Sequence, residues 1–239
     1  MYMSNGINIS IVKRDGAKEP LNIDKIHKVV EFACEDLTGV SSSQIEMNAN
    51  IQFYDEMSTK EIQEILIKSA NDLIGLDAPN YQYAAARLLL YGVYKEVFGQ
   101  YDSVPLEDII NQNIERGVYD PEILKKYTSE ELKKLDSIIK HDRDENFTYA
   151  GLRQVVDKYL CQDRSSGELF ESPQYMYMMI AATLFANYPA ETRMQYVRRY
   201  YDATSLFKIN IPTPVMAGVR TPVKQFASCV LVDSDDTLD

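Results

Sequence analysis

The sequence predicts a mainly α protein, of the α+β kind, with a small β-hairpin capping about four helices at its N-terminal end. Three observations predict this. Apolar residues recur at helical spacing through most of the first 200 positions. One hairpin signature, Asp15-Gly16 between alternating segments, stands near the start. Capping pairs and glycine stops punctuate the helical stretches.

Taken in order, NISIVKR alternates apolar and polar residues, Asp15-Gly16 turns the chain, and AKEPLNI returns. Asp24 is placed to cap a helix, DKIHKVVEFACEDL, in which Ile26, Val29, Val30, Ala33 and Leu37 share a face and Gly39 marks the stop. Ser43 with Glu46 predicts a capping box for a second helix running to Tyr54. Ser58 with Glu61 predicts another, before EIQEILIKSANDLIGL. Asp77-Ala-Pro79 opens a fourth helix, NYQYAAARLLLYGVYKEVFG, closed by Gly99. Residues 1–100 therefore read as one unit, and Gln100 to Pro105 as a linker. Residues 101–204 read as a second, helical unit. It has short helices at LEDIINQNIERG, DPEILKKY and SEELKKLDSIIKHD, and longer ones from Gln174 and from Ala190. A DRSSG turn is expected between short strands YLCQ and ELFE. Residues 205–239 differ in texture, with three prolines and then the strand-like alternation of QFASCVLVD. The final SDDTLD looks like the capped start of a helix, so the chain reads as one part of a larger subunit.

Composition excludes several classes. The formal net charge is −11, which argues against general nucleic-acid binding. The longest apolar run, MYMMIAATLFANY from Met176, is shorter than the roughly 20 residues of a membrane span. The N-terminus has no signal-peptide layout, so a cytoplasmic protein is expected. Three widely spaced cysteines make no disulfide framework, and two histidines without a Cys-x-x-Cys pair make no zinc site. No Walker A or GxGxxG pattern is present.

Against the acidic background, residues 1–28 hold Lys13, Arg14, Lys18, Lys25 and Lys28 but only Asp15, Glu19 and Asp24, a local net charge of +2. A hairpin bearing solvated charges explains this as it stands. A hairpin folded over helix N-termini would instead gather Lys13, Arg14 and Lys25 beside free backbone N–H groups, an arrangement suited to a triphosphate. Asn22 and Glu19 could then take a base or ribose, and Thr59 could add a hydroxyl.

The order KRDG…E…N.DKI, QFYD.M.T..I...LIK.A..LI and APNYQYAAAR resembles the ATP-cone domain. With IKHDRDENFTYAG, PTPVMAGVRTPVKQFASCVL and DSDDTLD, the chain resembles the N-terminal part of the class I ribonucleotide reductase large subunit over nearly its whole length. The resemblance implies that Lys13, Arg14, Glu19, Asn22, Lys25, Thr59 and Lys95 bind ATP or dATP, with Mg2+, as overall activity effectors. Gln63 stands where the family often has histidine, and a neutral amide cannot gain a positive charge. Glu61 occupies an acidic position linked to the switch. The resemblance further implies that Cys229 reduces the ribose and forms a disulfide with a second cysteine, which neither Cys34 nor Cys161 matches. It implies that Thr213 contacts the substrate diphosphate, with Ser228 near the sugar, and that Asp236, Thr237 and Leu238 open a dNTP specificity site. It implies a ten-stranded α/β barrel, of which residues 205–239 hold the first strand. Implied partners are the rest of the large subunit, a large-subunit dimer, a radical-generating small subunit that supplies what no metal ligands here could, and thioredoxin or glutaredoxin as reductant.

Each position also has a plainer reading. Cys229 fits a small buried hydrophobe on a strand, Thr213 a loop residue between prolines, and Asp236 and Thr237 helix caps. His141-Asp142-Arg143-Asp144 reads as a structural charge run, and the 17 tyrosines read as core rather than as radical carriers. Two other functions compete: a free-standing nucleotide sensor without catalysis, and a helical adaptor. PTP…QFASC is superfluous to the first. The basic island and Cys229 are unexplained by the second.

Overall fold

The computed structural model describes residues 9–233. The chain forms two compact units. One holds the chain through Ser103 together with Asp142–Asp157; the other holds Val104–His141 and the chain from Lys158 onward.

In the first unit, β1 (Ser10–Val12) and β2 (Lys18–Pro20) form the expected hairpin. Gly16 takes φ +81°, and the Lys13 N–H donates to the Ala17 carbonyl at 2.8 Å, closing the turn. Next come α1 (Ile23–Cys34), α2 (Ser42–Asn50), β3 (Met57–Ser58), α3 (Thr59–Asn71) and α4 (Tyr81–Phe98). The strand β3 adds parallel to β1, giving the order β2-β1-β3. The helix α4 is apolar on several faces and lies centrally, packed on α1 and α3. Its Ala84, Ala85 and Leu88 are buried with Val30, Ala33, Ile45 and Leu66. Gly99 ends it at φ +72°.

Two caps differ from expectation. Asn22, not Asp24, caps α1: its Oδ1 accepts the Lys25 N–H at 3.1 Å, leaving Asp24 in the first turn. The Ser43–Glu46 box does not form. The helix α2 starts after Ser41, without a side-chain cap bond, and ends at Asn50; Ser43 thus lies inside its first turn, and Glu46 meets His27 Nδ1 at 2.8 Å.

The Ser58–Glu61 box does form. The Glu61 N–H donates to Ser58 Oγ at 3.1 Å, and the Ser58 N–H donates to Glu61 Oε2 at 2.7 Å. The Tyr54 hydroxyl adds a bond to Glu61 Oε1 at 2.6 Å. These donors, Tyr54 first, hold the Glu61 carboxyl down at about 2. A carboxyl depressed by folding stabilises fully above its ordinary range near 4.5, and that contribution is lost as pH falls toward 2. Denaturant midpoints followed from pH 5 to pH 2 should therefore fall less steeply in Tyr54→Phe than in the native sequence. An unchanged slope would discount Tyr54 as the main cause. Separately, Ser58→Ala should destabilise this unit by about 1 kcal/mol in the same assay.

The second unit contains α5 (Leu106–Glu115), α6 (Glu122–Lys126), α7 (Ser129–Ile138), α9 (Pro173–Leu184), α10 (Ala190–Ser205) and α11 (Thr213–Gly218). Between α7 and α9, a 3-10 turn (His141–Asn146) and α8 (Tyr149–Lys158) carry the segment that belongs mostly to the first unit. Ser172 caps α9, its Oγ accepting the Tyr175 N–H at 3.4 Å, with Pro173 opening the helix. Residues 173–182 are all buried, so α9 is this unit's central helix. Arg193 of α10 grips Glu131 of α7 through two N–H groups at 2.5 to 3.1 Å and lies over the Tyr127 ring.

The expected strands YLCQ and ELFE reduce to a single bridge between Gln162 and Leu169. The turn between them is held by Asp163, which accepts the Ser165 N–H and hydroxyl at 2.7 and 2.6 Å. The barrel's first strand is not formed either. Thr213–Gly218 is helical, and residues 222–233 have neither helix nor strand. Alternation supplies two faces, but a strand also needs a neighbour's N–H and C=O groups, and none runs beside this segment among the described residues. The charge run is structural: Asp144 is buried and accepts the Tyr94 hydroxyl at 2.9 Å. Tyr81, Tyr94, Tyr119, Tyr127, Tyr175, Tyr177 and Tyr201 are core residues, whereas Tyr54, Tyr101, Tyr188 and Tyr196 are exposed, so the reading of the tyrosines as core holds only in part.

Candidate functional site: a basic pocket under the hairpin, and an exposed thiol

A cavity of about 570 Å³ opens in the first unit beneath the β1–β2 hairpin. All seven residues expected to hold an adenine nucleotide line it: Lys13, Arg14, Glu19, Asn22, Lys25, Thr59 and Lys95. The fold brings them from five places. Lys13 and Arg14 come from the hairpin turn, Glu19 from β2, Asn22 and Lys25 from the start of α1, Thr59 from the first residue of α3, and Lys95 from the end of α4. Asn22 and Lys25 at the start of α1 and Thr59 at the start of α3 line the cavity, so the positive ends of two helices accompany the cations.

The hairpin sorts its charges by face. Lys13 Nζ lies 2.6 Å from Glu19 Oε2, and Lys25 Nζ 3.6 Å from Glu19 Oε1. Glu19 in turn lifts the Lys13 ammonium above its ordinary range, and the Lys13 hydrogen bond holds the Glu19 carboxyl below its own. Lys18 instead reaches Glu56 at 2.5 Å, and neither Lys18 nor Lys28 lines the cavity. Three of the five cations of the basic island thus serve the pocket.

Sequence reasoning missed the pocket's apolar and aromatic walls. Ile11, Leu21, Ile26, Val29, Ile62 and Leu66 line the pocket, as do Tyr91 and Tyr101. Lys95 Nζ stands 4.6 Å from the centre of the Tyr101 ring. Burial pushes the Tyr91 hydroxyl up to about 12, so it stays a neutral donor at physiological pH. Tyr91 looked like ordinary helix core. Gln63 also lines the cavity, and its amide donates to the Leu88 carbonyl at 2.5 Å.

The second constellation lies in the other unit. Thr213 opens α11, exposed, with its hydroxyl 3.3 Å from that of Tyr159. Cys229 and Ser228 lie in the exposed segment that has neither helix nor strand, with the Ser228 hydroxyl 3.7 Å from Cys229 Sγ. The reading of Cys229 as a buried hydrophobe therefore fails. Val230, Leu231 and Val232 are 72%, 101% and 82% exposed, apolar surface left open among the described residues. Asp236, Thr237 and Leu238 lie outside the described residues. Among the described residues no three His, Cys, Asp or Glu side chains cluster as metal ligands do, and no helix is long and apolar enough to cross a membrane.

The α11 segment is anchored from behind. Arg220, fully buried, donates to the Met216 carbonyl at 2.5 Å, to the Tyr159 carbonyl at 2.8 Å and to the buried Glu171 carboxylate. Glu171 also accepts the Tyr119 hydroxyl and the Cys161 N–H, at 2.5 and 2.6 Å. Burial, then Glu171, pushes the Tyr119 hydroxyl and the Cys161 thiol well above their ordinary values.

Comparison with known proteins fits this geometry. Residues 9–96 match the ATP cone domain and residues 145–224 the ribonucleotide reductase all-alpha domain. The chain is 51% identical over 232 residues to "Ribonucleoside-diphosphate reductase 1 subunit alpha" of Escherichia coli (strain K12), covering 97% of this chain and 30% of that protein. The protein of the same name from Salmonella typhimurium matches at 51% with the same coverage. The alpha subunit of Enterobacteria phage T4 is 42% identical over 232 residues, again across 30% of its length. The chain thus spans about 30% of the length of the curated relatives it matches. With an ATP cone and an all-alpha domain in this order, it belongs to the class I ribonucleotide reductase alpha-subunit family, of which it represents the N-terminal part.

Proposed function

We propose that the cone pocket binds ATP and dATP as overall activity effectors, and that the chain contributes one redox thiol, Cys229, to the reduction of ribonucleoside diphosphates. The observation that carries the first part is the convergence of Lys13, Arg14, Lys25 and Lys95 with two helix N-termini around one cavity of about 570 Å³. The cations and N–H groups take the phosphates, with Mg2+ accompanying them. The apolar wall of Ile26, Val29, Ile62 and Leu66 takes the base, with Glu19 and Asn22 as its polar contacts.

In the second part, Cys229 and a cysteine outside this chain each give up one electron and one proton. The 2′-hydroxyl leaves as water, a hydrogen replaces it, and the two sulfurs join as a disulfide. Exposure of Cys229 supports this, because a thiol that must meet substrate, a second sulfur and a reductant has to be reachable. Thr213 holds the substrate diphosphate and Ser228 lies near the sugar. Asp236, Thr237 and Leu238 contribute to a dNTP specificity site. The rest of the large subunit, its dimer mate, a radical-generating small subunit and a thioredoxin or glutaredoxin complete the system in the cytoplasm. A free-standing sensor is the weaker reading, since it has no use for the anchored α11 segment or for Cys229.

Calorimetry tests the effector reading directly. ATP and dATP should each bind saturably to this chain, and Lys13→Ala should weaken both at least tenfold while the circular dichroism spectrum stays native. Absence of binding by the native sequence would overturn the proposal.

A further inference from the structure

We propose that Glu19 is a built-in counter-ion that occupies the pocket's phosphate-binding cations when no nucleotide is present, and so sets how strong an anion must be to enter. The inference rests on the effector reading above and deepens it.

The geometry is specific. Glu19 pairs with Ile11 across β1–β2, and its side chain turns into the cavity. Its two oxygens are divided between two cations of different elements: Oε2 goes to Lys13 at the hairpin turn and Oε1 to Lys25 on α1. One carboxylate thus bridges the hairpin to the helix in the place where a polyanion would make the same bridge. The neighbouring Lys18, one residue away and on the opposite face, is balanced separately by Glu56.

Two anions cannot share one pair of ammonium groups at full strength. An entering phosphate chain must draw Lys13 off Glu19, or leave it shared and face the carboxylate's repulsion. A triphosphate carries enough charge to win this exchange; inorganic phosphate competes poorly. Glu19 thereby holds the cone nearly closed to the abundant small anions that an open cluster of lysines would collect. Because Lys13 and Glu19 are partly exposed, the exchange is screened by salt and its cost is modest.

The test uses sodium tripolyphosphate, which has no base or ribose for Glu19 to touch, and compares the native chain with Glu19→Gln and Glu56→Gln. At low ionic strength Glu19→Gln should bind tripolyphosphate about tenfold more tightly, and its preference for tripolyphosphate over inorganic phosphate should shrink. Glu56→Gln, which removes the same charge from the other face, should change affinity less than about twofold. Equal or weaker binding in Glu19→Gln, or equal tightening in both variants, would overturn the proposal. A second readout needs no variant. In the native chain the Glu19 carboxyl, followed by NMR, should titrate at higher pH once tripolyphosphate has taken Lys13, and an unmoved titration also overturns the proposal. Failure of ATP to bind the native chain would instead overturn the effector reading, which the tripolyphosphate arm does not depend on.

Discussion

Replacing Glu171 by Ala should cost the second unit about 3–5 kcal/mol, read as a lower urea midpoint with little change in slope. The reason lies in what remains. Arg220 is 1% exposed, and without Glu171 its charge loses its carboxylate and keeps the Met216 and Tyr159 carbonyls as hydrogen-bond acceptors. The Tyr119 hydroxyl and the Cys161 N–H lose their acceptor in the same step. Stability of a domain this size is about 5–15 kcal/mol in total, so the loss is a large fraction of it. An apolar double variant, Glu171→Leu with Arg220→Met, removes both charges and should be less destabilised than Glu171→Leu alone. If Glu171→Ala unfolds at the native midpoint, the pair does not hold α11 in place.

The second large effect concerns the three thiols. Under native conditions at pH 8, iodoacetamide should label Cys229 at least a hundredfold faster than Cys161, with Cys34 in between. Cys229 is exposed, Cys34 half-buried and Cys161 buried. Burial pushes the Cys34 thiol up to about 11, which leaves about 0.1% of it as thiolate at pH 8. Cys161 is raised further by burial, with Glu171 adding to it, and should react only after unfolding. Mass spectrometry after short labelling reads all three sites at once. Comparable labelling of Cys161 and Cys229 would mean that the segment around Cys229 is covered in solution, and would weaken its assignment as the redox thiol.

The hairpin, the Ser58 cap and the Gly99 stop were legible because each is decided within a few residues. Asp15-Gly16 turns the chain whatever surrounds it, and Ser58 finds Glu61 three positions on. Ser43 and Glu46 have the same spacing, yet Glu46 is taken by His27, which lies 19 positions earlier and arrives only when α1 packs on α2. Long-range competition of this kind leaves no mark on local sequence. The phosphate side of the pocket could be read because charge stands out on an acidic chain. Its apolar wall could not, since Ile26, Val29 and Leu66 look like any helix core until the hairpin leaves them a cavity. QFASCVLVD failed for the complementary reason: its pattern describes two faces, and the partners that would make it a strand are not beside it.

The first unit is discontinuous, and this bears on its synthesis. The helix α4 is finished by Phe98, but two of its side chains are met by a segment made much later: Arg87 pairs with Glu145 at 3.3 Å and Tyr94 bonds to Asp144. A ribosome adding about 5–20 residues per second needs roughly 3–10 s to pass from the end of the first stretch to the end of the second. During that interval the cone exists as a nascent pocket with one side of its central helix still uncovered, and all of Val104–His141 must emerge before that side is closed. Closing the effector pocket's own unit therefore waits on translation of its neighbour, which joins the birth of the sensor to that of the domain after it.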